Sequence, residues 1–127
     1  MQPIEAIIAG YLAAYPALRA IHGGQACQGI ADQDWKAPYQ TVFVISDPSG
    51  QRRLGILSSR LQITNVANQY GQAKRMAELT RQALDGLAGT LEGITIKQGI
   101  YQDLNVNYED DTGKYIAPVD MIIVYRG

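Results

Sequence analysis

Cysteine, histidine, tryptophan and phenylalanine each occur only once among the 127 residues. With Cys27 alone, no intrachain disulfide can form and no thiolate metal cluster can be built, which fits a reducing compartment. With His22 alone, any Ser–His–Asp or Cys–His arrangement must pass through that residue. An excess of positive charge is also lacking. The net charge of −1 gives no reason to expect a nucleic-acid binder of the basic, phosphate-neutralising kind. There is no low-complexity tract and no internal repeat. Long hydrophobic runs are missing too. The apolar opening MQPIEAIIAGYLAAYPAL has no basic residues before it, is interrupted by Glu5 and falls short of a membrane span. It reads as a helix of the domain, and the protein is expected in the cytosol of the cell that makes it.

What remains is ordinary globular material. Hydrophobic residues make up 46% of the chain and charged residues 18%. A chain of this length buries roughly two-thirds of its unfolded surface, enough for one core, so residues 1–127 are expected to form a single domain.

Pro3 suits a first helical position and Glu5 the positive end of the helix dipole. Ile4, Ile7, Ile8, Tyr11, Leu12 and Tyr15 follow helical spacing, Pro16 interrupts it, and Gly23-Gly24 ends the unit. Residues 25–38 read as irregular. Tyr39 to Ser46 is a strand rich in β-branched and aromatic residues, Asp47-Pro48-Ser49-Gly50 has turn chemistry, and a second strand runs to about Ala67. A helix is expected from Gly71 to Leu87, with Ala73, Met76, Ala77, Thr80, Ala83, Leu84 and Leu87 as its buried stripe. Lys74–Glu78 and Arg81–Asp85 are i, i+4 charge pairs on its other side. Strands from Ile94 to Asn105 and from Tyr115 to Tyr125 close the chain around an acidic loop.

The expected fold is therefore α+β, in the order α-β-β-α-β-β. It has a largely antiparallel four-stranded sheet and two helices packed on one face. Val42-Phe43-Val44-Ile45 and Met121-Ile122-Ile123-Val124 are apolar on both faces, as doubly covered strands are. Two helices cover one face only, which leaves the other to residues 25–38 or to a neighbouring subunit.

No catalytic, cofactor or metal constellation emerges. His22 sits in a Gly-rich turn with no nucleophile elbow beside it, and Cys27 reads as a small buried hydrophobe. Glu109-Asp110-Asp111 lacks the alternate spacing of a calcium loop, and the glycines match neither phosphate-binding signature. The protein is therefore read as non-enzymatic and without a cofactor. Charge distribution says more. From Arg52 to Arg81 six bases face Glu78 alone, whereas from Asp103 to Asp120 five acids face Lys114 alone. Opposite patches of this kind can meet head to tail on successive copies, a heterologous contact that closes into rings. Arg52, Arg53, Arg75 and Arg81 are accordingly candidates for one interface, and Glu109, Asp110 and Asp111 for its complement.

The residues also resemble a family, the tail-completion (tail-terminator, head–tail joining) proteins of long-tailed bacteriophages and prophages. The likeness is carried by PIEAIIAGYLAAYPALRAI with its Gly23-Gly24 break, and by Ala37-Pro38-Tyr39 at the first strand. RLQITNVANQYGQAKRMAELTRQALDGLAG and the closing YQDLNVNYEDDTGKYIAPVDMIIVYRG complete it. The resemblance implies a subunit of a ring, commonly a hexamer, that caps the tail tube in the host cytoplasm and remains at the head–tail junction of the virion. Its implied partners are copies of itself, the major tail-tube protein and the head connector, with DNA passing through the lumen. It implies no catalytic residues. A head-closure or minor tail protein, or a small ligand-binding domain, is the alternative.

Overall fold

Pro3 opens the first helix, α1 (Ile4–Ala14), whose buried residues Ile4, Ile7, Ile8, Ala9 and Leu12 keep the expected spacing. Tyr15 leaves helical geometry at φ −65°, ψ 118°, and Pro16, which lacks an N–H and cannot extend the preceding turn, starts α2 (Pro16–His22). The two helices bend by 81° at this break. Gly23 then ends α2 in the left-handed region, φ 64°, its N–H bonded to the Arg19 carbonyl. The single interrupted helix read from sequence is thus two helices.

The computed structural model of the chain describes residues 3–29, 35–46, 56–104, 106–109 and 113–126. Its strands are β1 (Ala26–Gln28), β2 (Tyr39–Ser46), β3 (Ile56–Ala67), β4 (Gly89–Leu91), β5 (Ile94–Leu104), β6 (Asn107–Glu109) and β7 (Lys114–Arg126), with α3 (Tyr70–Leu84) after β3. They form one seven-stranded sheet in the order β1-β2-β3-β7-β5-β4, with β6 also on β7. The α+β class and both antiparallel hairpins hold, but the sheet has seven strands rather than four. The additions β1, β4 and β6 are three residues each, too short to show an alternation, and each borrows its order from a longer neighbour. β1 lies inside the stretch read as irregular and runs parallel to β2, Ala26 opposite Gln40. β6 continues the register of β5 along β7, since Leu104 faces Val119 and Asn107 faces Ile116, three residues on along each strand.

The hairpin of β2 and β3 pairs Val42 with Ile63, and β3 pairs Ile63 with Val119 of β7. These positions share one phase of the pleat, and along β7 that phase is Ala117, Val119, Met121, Ile123 and Tyr125, all buried. Against it lie the apolar stripes of the helices, in one continuous core with Leu61, Met76 and Leu84. The opposite phase of β7, which includes Ile116, Pro118, Ile122 and Val124, is half-buried. On the same outer face Phe43 of β2 is exposed, as is Ile45, which a β-bulge sets between Val44 and Ser46. No described helix packs on this face.

Helix α3 ends at Leu84, one turn earlier than its apolar spacing predicts. Asp85 is extended, Gly86 takes φ 77°, and Leu87 packs on the core from the turn. The helix end is fixed by β5. The Gly86 N–H donates to the Gly99 carbonyl at 2.8 Å, and the Leu84 carbonyl occupies the space a side chain at Gly99 would need.

Candidate assembly surface

The exposed side of α3 joins two chemically different ends. At its N-terminus the ring of Tyr70 meets Tyr115 edge-on at 5.9 Å, and Tyr115 meets Tyr108 at 4.9 Å. Tyr70 and Tyr108 are exposed, so an aromatic cluster stands at the surface where β6 and β7 form their hairpin. Lys114 of this hairpin donates to Asn68 Oδ1 at 2.7 Å, tying the hairpin to the loop before α3. At the other end of α3, ~16 Å further along the axis by helical rise, the Arg81 guanidinium lies 4.3 Å from the centroid of the Tyr101 ring of β5.

Of the interface candidates, Glu109 is exposed on β6 opposite Lys114, at the tyrosine end. Arg75 is exposed on α3, and Arg81 is exposed at the far end. The structure thus keeps Glu109 and Arg81 at separate ends of α3 rather than bringing them together within one subunit. Arg52, Arg53, Asp110 and Asp111 lie outside the described residues. The expected Arg81–Asp85 pairing is replaced. Arg81 stacks on Tyr101, and Asp85 Oδ1 accepts the Tyr101 N–H at 3.3 Å. Together with Glu78 and Gln82 these two side chains line a shallow surface cavity of about 380 Å³, so the basic stripe of α3 is mixed in sign at this end. Arg60 and Asp120 form an ion pair, 2.7 Å apart on the outer sheet face.

His22 has left the surface altogether. Its side chain is 3% exposed and its pKa is pushed below the ordinary histidine value by burial, with the Gln40 hydrogen bond opposing that shift. It begins a polar chain that sequence reading did not assemble. Nε2 bonds Gln40 Oε1 at 2.8 Å, Gln40 Nε2 donates to Asn65 Oδ1 and Thr80 Oγ1, both at 2.7 Å, and Asn65 Nδ2 donates to the Ala117 carbonyl. Thr80 in turn donates to the Met76 carbonyl at 2.8 Å. A signal was there. Gln40, Asn65 and Thr80 each occupy the core-facing phase of an otherwise apolar element. Both ring nitrogens of His22 are engaged, Nδ1 by the Gly24 N–H at 3.0 Å, which leaves neither to a nucleophile. Cys27 is half-buried on the edge strand β1 rather than fully buried.

The fold is one α+β sheet with helices on one face and, among the described residues, no helix on the other. No family model and no curated protein sequence matches the chain. Among solved structures, it is similar to a chain in "Virion of native gene transfer agent (GTA) particle". The TM-score is 0.79 at 15% identity, covering 98% of this chain and 95% of that one. At such identity the likeness is one of fold.

Proposed function

We propose that this protein is a structural subunit of a phage-type virion. Within it, the subunit forms a ring that caps the tail tube and joins tail to head. The observation that carries the reading is the end-to-end match to a virion chain, with almost nothing of either chain left over. Two features of this chain support it. The outer sheet face carries Phe43, Ile45, Ile122 and Val124, more apolar surface than an isolated subunit has use for. Glu109 and Arg81 stand at separate ends of α3, an arrangement suited to contact between successive copies around a ring. The tail-terminator assignment rests on the sequence resemblance, which adds the tube protein and connector as partners and assigns no catalysis. A head-closure or minor tail protein fits the same virion likeness and differs in its partners.

Native mass spectrometry and negative-stain microscopy test the reading, with and without tail tubes. Rings that bind tube ends are expected. Binding to the connector alone would favour head closure, and a monomer carrying a metabolite would overturn assembly altogether. Arg75→Glu is expected to weaken ring formation at low salt by about tenfold, an electrostatic effect that fades as salt rises. Unchanged assembly of that variant would remove Arg75 from the interface.

A further inference from the structure

The polar chain through the core has a direction, and backbone groups set it at both ends. The Ala117 carbonyl can only accept, so the amide nitrogen of Asn65 must face it and Oδ1 must face Gln40. Gln40 then presents its nitrogen to Asn65 and Thr80 and its oxygen to His22, which makes His22 Nε2 a donor. At the other end the Gly24 N–H can only donate, so His22 Nδ1 must be its unprotonated acceptor. The native turn after α2 therefore requires the neutral imidazole in one tautomer. A second proton has a single place to go, Nδ1, where it displaces the Gly24 N–H, a loss that a hydrogen bond to the residue's own backbone offsets only in part against burial.

We propose that His22 is an acid-sensitive latch. Protonation at Nδ1 releases the Gly23–Gly24 turn and with it the edge strand β1, while the sheet from β2 to β5 stays paired. The position of the ring makes the release local. Gly24 also accepts the Ala26 N–H through its carbonyl, and β1 holds β2 through Gln40 N–H to Gln25 O and Gly29 N–H to Val42 O. All of these bonds lie just beyond the latch and none belongs to β3 or β7. Among the described residues no charged side chain is bonded to the ring to offset the cost of burying imidazolium. On the helices around it Glu5 is half-buried, Arg19, Lys74, Arg75, Glu78 and Arg81 are exposed, and what faces the ring from β2 is the uncharged Gln40. Burial raises the Tyr11 phenol of the α1–α2 corner further above the acid range. The lowered histidine pKa agrees in sign. A group that resists protonation when folded contributes stability fully present above its ordinary value of 6.5 and lost as pH falls below it.

Because His22 is the only histidine, its ring proton is a single, unambiguous signal in an NMR titration. Amide exchange followed over the same pH series reads the latch. Below the ordinary histidine value, protection at Gly24, Ala26, Gly29 and Gln40 is expected to fall about tenfold per pH unit, corrected for intrinsic exchange. Amides of β3 and β7 are expected to hold. His22→Gln is expected to abolish the pH step at those four amides. If that variant does not fold, the wild-type series still decides. Titration near 6.5 with unchanged protection would overturn the latch. So would simultaneous loss across the whole sheet, or a step that persists in His22→Gln.

Discussion

Both faces of β7 carry β-branched residues, but the outer one also carries Lys114, Asp120 and Arg126, and their surroundings differ. Val119, Met121 and Ile123 point into the core and are wholly buried, whereas their neighbours Ile122 and Val124 are half-buried on the side no described helix covers. Around residues 121–124 both sides are apolar, so this run alone does not say which face lies against the core. The difference is made by α3 and α1, whose apolar stripes match one face in length and leave nothing for the other. Apolar side chains that no described helix covers are the kind of surface that marks an interaction site.

Substitutions can break that contrast at graded cost. The largest effect is expected at Gly99, where β5 meets the end of α3. Gly99→Val drives a branched side chain into the Leu84 carbonyl. It should cost more than about 4 kcal/mol or abolish folding, as read by urea unfolding. Next comes the paired comparison on β7. Met121→Ala on the covered face should cost about 2–5 kcal/mol by cavity formation. Ile122→Ala should cost about 1 kcal/mol or less in the monomer, and its effect should appear in assembly. Equal losses in the monomer would mean that the outer face is covered within one subunit. Smallest is Arg60→Ala, which removes an ion pair whose arginine is 47% exposed. Its cost in thermal unfolding is expected to be within about 1 kcal/mol.

Much of this architecture was legible beforehand, for identifiable reasons. β2, β3 and β7 announce themselves through runs of β-branched and aromatic residues, and α3 through the spacing of Ala73, Met76, Ala77 and Thr80. Pro16 signals the break between α1 and α2, but proline does not say whether the helix kinks or restarts at an angle. β1, β4 and β6 were invisible because Ala-Cys-Gln, Gly-Thr-Leu and Asn-Tyr-Glu carry no pattern of their own. Leu87 has helical spacing without being helical, since an apolar side chain reaches the core equally well from a turn. The candidate surface was legible only as charge sequence. That Arg81 would stack on Tyr101, and that Tyr70 would join Tyr108 and Tyr115, depends on which strands lie beside α3, which no local window contains.

The central place of β7 also sets when the domain can form. Strand β3 pairs with it over twelve registered positions, from Ile56 opposite Arg126 to Ala67 opposite Tyr115, and β5 lies along its other edge. Everything synthesised before Lys114 therefore includes two long strands with no bridge between them. Helices α1 and α3 can form early, but the sheet they pack on is completed from its middle by the last strand to emerge. Loop closures of this span are slow, and until they occur the edges of β3 and β5 stand open to the wrong partner.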